Sequence, residues 1–157
     1  MTQEEEEPPL IISGRWDIPF RHTAGRFASH FFRALKDGRI LGVRCPRCRR
    51  VLMPPRPFCE RCFVPLEEWV EVGQQGTLEA FTICYARFTG LPDPPYCQML
   101  VKLDGADSAL MHLLGEVDLE DVEQATQRIQ IGMRLEAVWR EEREGGIQDI
   151  AYFRPAA

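Results

Sequence analysis

Six of the 157 residues are cysteines, and four of them form two pairs, Cys45-Pro46-Arg47-Cys48 and Cys59-Glu60-Arg61-Cys62. A CxxC turn aims two sulfurs at one point, and two such turns from adjacent loops complete a tetrahedral thiolate cage. With four protein ligands the cage is closed. The ion it implies is therefore structural rather than catalytic, and one zinc is expected at Cys45, Cys48, Cys59 and Cys62. Iron in a rubredoxin-like site is the competing occupant. Arg49 and Phe63 follow the two pairs, where such turns often carry glycine because the backbone takes positive φ. Either these turns hold strain or they adopt another shape.

The other candidate chemistry is sparse. Cys84 and Cys97 lie alone in apolar surroundings and are expected to be packing residues. His22, His30 and His112 show no ligand spacing, and His112, between Met111 and Leu113, reads as a structural histidine. Glu79, Asp104 and Glu116 are isolated carboxylates rather than an acid–base pair. A free-standing enzyme is accordingly a weak reading.

The composition, 45% hydrophobic and 27% charged, is that of a globular protein. No apolar run approaches a bilayer span. The acidic opening has no basic stretch ahead of an apolar core, so no secretory leader is expected, and the expected location is cytoplasmic. Charge is unevenly spread. Six arginines against Glu60 give residues 44–62 a net +5, so the rest of this −5 chain carries −10. An arginine-rich metal module is attached to an acidic body.

The elements that must position the cysteines can be traced along the chain. Residues 1–13, with Glu4–Glu7 and Pro8-Pro9, are expected to be a flexible acidic tail. Residues 14–38 form a helical arm. Within it Phe27, Phe31 and Leu35 recur at helical spacing, Thr23 is the expected N-cap, and Gly38 is placed for a left-handed stop. Three phenylalanines on so short a helix leave two readings, core packing or a partner-facing surface made by Phe27, Phe31 and Phe32. Residues 39–66 are the metal ribbon, entered by a strand from Arg39 to Arg44 and stiffened by Pro54, Pro55 and Pro57. Residues 67–157 are β-rich. Five strand regions follow from Thr77 onward, with a short helix from Leu119 to Gln130 between the third and fourth. That order is the order of a Greek-key OB barrel. The fold class is mainly β, with an N-terminal helical segment, a rubredoxin-like zinc ribbon and a C-terminal five-stranded OB-fold barrel.

Several ordered motifs carry a further likeness. Phe31-Phe32-Arg33-Ala34-Leu35-Lys36-Asp37-Gly38-Arg39-Ile40, Pro54-Pro55-Arg56-Pro57-Phe58-Cys59, Gly76-Thr77-Leu78, Pro94-Pro95-Tyr96, Ile131-Gly132-Met133 and the ending Tyr152-Phe153-Arg154-Pro155-Ala156 resemble the family called domain of unknown function 35. The resemblance covers residues 16–156. It implies an acyl-CoA-associated accessory subunit in lipid metabolism, non-catalytic on its own. Such a subunit binds or positions a CoA thioester and scaffolds a thiolase-like enzyme, an aldolase or a hydratase. Arginine recognises phosphate bidentately, so Arg44, Arg47, Arg49, Arg50 and Arg56 are the candidate contacts for the CoA phosphates. Arginine is also this chain's default cation, so solvated surface charge is the competing account of each. A zinc-ribbon/OB module that binds nucleic acid is the alternative function, disfavoured because the presumed barrel is acidic and its aromatics are scattered.

Overall fold

The architecture follows from two kinds of short-range pattern, one helical face and a series of alternating strands. The structure is a computed structural model that describes residues 10–13 and 18–156, apart from the Val122 side chain. The acidic run Glu4–Glu7 and Pro8-Pro9 lie outside the described residues.

Helix α1, Gly25–Lys36, turns Phe31, Ala34 and Leu35 into the core. Thr23 does not cap it. Ala24 holds the cap position without a side-chain bond, and the Thr23 Oγ1 accepts instead from the Gly25 N–H at 3.2 Å, too early to reach the second or third helical N–H. The far end behaves as expected. Gly38 takes φ +73°, and the Arg143 Nε donates to the Lys36 carbonyl at 2.9 Å.

Strands β1 (Leu41–Arg44), β2 (Val51–Leu52) and β3 (Glu68–Glu71) make an antiparallel sheet in the order β2-β1-β3. The expected boundary at 66/67 therefore precedes a strand that pairs back into the ribbon. Strands β4 (Gln75–Cys84), β5 (Tyr96–Leu103), β6 (Leu110–Leu114), β7 (Arg134–Trp139) and β8 (Ile150–Pro155) close a five-stranded barrel in the order β4-β5-β6-β8-β7. Helix α2, Val122–Arg128, lies between β6 and β7 and is capped by the Asp121 carboxylate on the Gln124 N–H at 3.1 Å.

Strand β4 serves both neighbours. Its start pairs with β7 and its whole length with β5, across a register shift between Leu78 and Ala80 that lets the strand bend round the barrel. Gly76 sits where the two pairings overlap. A Cβ there would lie 2.5 Å from the Lys102 carbonyl oxygen, so only glycine fits. Closure comes through the parallel bridge between Leu114 and Phe153.

One apolar cluster joins the parts. Phe31 and Leu35 of α1 and Ile40, Val51, Met53 and Val72 of the ribbon pack in the same core as Leu78, Val101, Leu135 and Phe153 of the barrel. A second, small cluster of Val43, Cys45, Leu52, Cys59 and Leu66 lies beside the cysteines. Among the described residues no helix is long and apolar enough to cross a membrane.

Candidate functional site

The two CxxC turns are built alike. Arg49 N–H donates to the Cys45 carbonyl at 3.0 Å and Phe63 N–H to the Cys59 carbonyl at 2.8 Å, which closes each loop. Each is then tied off by a second bond, Cys45 N–H to the Arg50 carbonyl and Cys59 N–H to the Val64 carbonyl. The four Sγ atoms lie within 4.8 Å of one another, and Cys48 Sγ stands 3.7 Å from Cys59 Sγ. A tetrahedron with metal–sulfur bonds near 2.3 Å requires sulfurs about 3.8 Å apart. The cage fits one metal ion.

Electrostatics point the same way. Burial alone would raise the Cys45 thiol, but the Cys48 and Arg47 backbone N–H groups and the neighbouring sulfurs outweigh it and draw it down to about 6. Burial, together with the Cys48, Cys45 and Cys59 sulfurs, pushes Cys62 up to about 12. Four thiolates so close repel one another, and a dication relieves that repulsion.

The turns keep their shape despite lacking glycine. Arg49 takes φ 63° and Phe63 φ 52°, both left-handed. For a residue with a Cβ that conformation costs about 1–2 kcal/mol. Phe63 gains no burial in return, since its ring is 82% exposed. Phe63→Gly is therefore expected to stabilise the zinc-loaded protein by about 1 kcal/mol. A thermal melt of wild type and variant, both metal-replete, checks this; an unchanged or lower midpoint would contradict it.

The arginines are less available than their number suggests. Arg44 and Arg49 both approach Glu68 at 3.5 Å, because β3 pairs beside β1 and brings Glu68 opposite Arg44. Arg50 donates to Glu60 at 2.9 Å, and Arg56 stands 3.7 Å from the same carboxylate. Arg47 is exposed and has no carboxylate partner among the described residues. These pairs are on the surface, each worth about 0–1 kcal/mol, so a stronger anion can still displace them.

The phenylalanine face divides. Phe31 is 3% exposed and spent on the core, which removes it as a partner-facing residue. Phe27 stacks on Trp69 of β3, ring centroids 5.3 Å apart, and His30 meets the same indole at 4.3 Å. Phe32 is half-buried against the main core.

The remaining candidates have structural settings. Cys97 is buried and Cys84 half-buried. Glu79 pairs with Lys102, Asp104 with Arg134, and Glu116 with Tyr152 and Arg154. Nε2 of His112 lies 3.2 Å from the Ile147 carbonyl, but its Nδ1 is buried without a partner, so this histidine is only half satisfied.

Asp107 and Ser108 were not singled out by motif, yet they hold ribbon to barrel. The Asp107 carboxylate accepts from the Val51 N–H at 2.8 Å, and the Ser108 hydroxyl bonds both N–H and carbonyl of Met53 at 2.7 and 2.8 Å. The loop after β5 thus completes the free edge of β2. Turn-forming residues at 104–108 were the one available signal, and they indicate a turn rather than what it touches.

Comparison with known proteins agrees with this geometry. The family model of the ChsH2 rubredoxin-like zinc ribbon domain matches residues 32–67, and that of the ChsH2 C-terminal OB-fold domain matches residues 69–140. The chain belongs to the ChsH2-type zinc-ribbon and OB-fold family. A relative described as a probable enoyl-CoA hydratase alpha subunit, from Thermomonospora curvata, is 27% identical over 142 residues. The match takes in 89% of this chain and 40% of that protein, so the chain spans two fifths of the relative's length. Among solved structures, the Ltp2-ChsH2(DUF35) aldolase aligns with a TM-score of 0.63 at 24% identity, over 87% of this chain and 100% of that one. A DUF35-family protein of unknown function from Sulfolobus solfataricus aligns at 0.56 and 24%, over 73% and 78% of the two chains. At that identity the likeness to both structures is one of fold.

Proposed function

We propose that this ChsH2-type chain is an accessory subunit that scaffolds a thiolase-like, aldolase or hydratase partner and helps position a CoA thioester for it. The observation that carries this reading is the joint match to the ChsH2 ribbon and OB domains, extended by the likeness to part of a probable enoyl-CoA hydratase alpha subunit. Its site chemistry is compatible. The metal cage offers no open coordination position, and the carboxylates considered as acid–base candidates are engaged in ion pairs. The ribbon arginines, Arg47 above all, are available to phosphate, and the exposed edges of Phe27 and Phe32 lie on the helix that would meet a partner.

Coexpression of the chain with candidate companions from the three enzyme classes tests the reading. The expected result is a companion that co-elutes with the chain and turns over its CoA thioester at least about tenfold faster with it, a difference of about 1.4 kcal/mol in activation free energy. A companion that folds and turns over equally well alone would refute it.

A further inference from the structure

The pairing of β4 with β5 places a cysteine opposite a tyrosine on the outside of the barrel. In β5, Cys97, Met99, Val101 and Leu103 belong to the core, and in β4 Phe81 and Ile83 pack against it. The residues between them therefore face outward. Cys84, the last residue of β4, pairs in register with Tyr96, the first of β5. Tyr96 is only 5% exposed although it lies on the outer face. Cys84 beside it is half-buried, at the edge of solvent.

The Tyr96 hydroxyl is unsatisfied. Among the described residues the buried side-chain atoms without a hydrogen-bond partner are Arg44 Nε, His112 Nδ1 and this hydroxyl. Arg44 still has the Glu68 carboxylate at 3.5 Å, and the other ring nitrogen of His112 meets the Ile147 carbonyl. Tyr96 has a single polar side-chain atom, and nothing bonds it. A hydroxyl buried in that way opposes folding and marks a place for a water, a ligand or a reactive group. Burial, and after it the Cys84 side chain, raises the Tyr96 pKa, so the hydroxyl keeps its proton and stays a donor beside that sulfur. The thiol itself completes no hydrogen bond with it. One oxygen added to the sulfur would.

We propose that Cys84 is a peroxide-reactive thiol whose sulfenic acid is held by the Tyr96 hydroxyl. The Cys84 thiolate attacks one oxygen of hydrogen peroxide, forming the S–O bond as the O–O bond breaks. The departing hydroxide takes up the proton that the thiol released, so thiol and peroxide give sulfenic acid and water. Sulfur is oxidised and peroxide is reduced. The Tyr96 O–H then donates to the sulfenic oxygen. Cys97 is the internal contrast. It is 1% exposed, and burial, with Cys84 nearby, pushes its thiol up to about 11, which keeps it protonated and unreactive. The ribbon cysteines are shielded for a different reason, as ligands of a closed metal site. Neither this site nor the accessory-subunit role depends on the other.

Peroxide treatment of the zinc-loaded full chain, with dimedone as the sulfenic-acid trap and peptide mass spectrometry as the readout, tests it. Cys84 is expected to label at least about tenfold faster than Cys97 while the zinc content stays unchanged. Tyr96→Phe is expected to slow Cys84 labelling about tenfold without lowering the melting temperature, since no existing bond is lost. Wild type treated with peroxide alone is expected to melt higher, because the buried donor gains its acceptor, and Tyr96→Phe is expected to cancel that gain. Cys84 labelling no faster than Cys97, or equally fast with and without the Tyr96 hydroxyl, would overturn the site. So would a peroxide-treated wild type that melts no higher. A Tyr96→Phe protein that melts lower with unchanged labelling would overturn it too, since the hydroxyl would then be serving an ordered water.

Discussion

Stripping the metal with a tight chelator is expected to unfold the ribbon and lower the melting temperature of the whole chain. The apolar cluster beside the cysteines has only five buried members, two of them the ligands Cys45 and Cys59, and β2 is two residues long. So small a module cannot hold itself together by burial alone. Structural zinc contributes apparent binding energies of about 10–16 kcal/mol in small metal domains, more than any other single interaction available here. The damage should spread, because Ile40, Val51, Met53 and Val72 belong to the barrel's own core cluster. Trp69 reports it, since Phe27 and His30 pack on its indole only while β3 stays paired to β1. Near-ultraviolet circular dichroism and zinc analysis before and after chelation, or in Cys59→Ser, check this. A chelated protein with an unchanged Trp signal would contradict it. Acid should act in the same direction. Metal binding requires all four thiolates, so protons compete for the sulfurs and zinc is released as pH falls.

Asp149→Ala is the second large expected loss, about 2–3 kcal/mol. Asp149 is 4% exposed, yet it is charged. Its carboxylate accepts from the backbone N–H groups of Glu144, Gly145 and Gly146 at 2.9, 2.8 and 3.2 Å, and so shapes the hairpin that joins β7 to β8. Burial would raise its pKa, but those three donors, with Arg143 nearby, outweigh burial and hold the carboxyl below the ordinary aspartate range. A folded pKa below the unfolded one stabilises the protein fully above the ordinary aspartate pKa. That contribution is lost as pH falls through the lowered folded value. Asp149→Asn keeps one acceptor oxygen and should lose less than alanine. Denaturant unfolding of wild type and Asp149→Asn across a pH series isolates the effect, because zinc release is common to both. Their stability difference is expected to shrink toward low pH, and a difference independent of pH would refute the assignment.

Much of this architecture was legible because it is written in short-range pattern. The CxxC spacing fixes two turns, and the phenylalanine period places α1 within two residues of its observed start. Alternation in residues 96–103 and 134–139 marks two barrel strands, and Asp121 caps the helix expected in the third gap. The strand order then limits the closed barrel to few alternatives. The Leu110–Leu114 stretch shows where such reading stops. All five residues have apolar or amphipathic side chains, so period two cannot say that Met111 faces out and Leu110 in.

By itself, the sequence determined the metal cage, the order of elements and the family, because ligand spacing, periodicity and turn residues act over a few bonds. Tertiary structure alone decided which of those residues are free to act. Phe31 is withdrawn into the core, and Glu60 and Glu68 are brought against the arginines. Asp107 and Ser108 complete a strand more than fifty residues away. Each of these depends on chain closure around a shared core, where burial and charge pairing are settled by neighbours that no local pattern names.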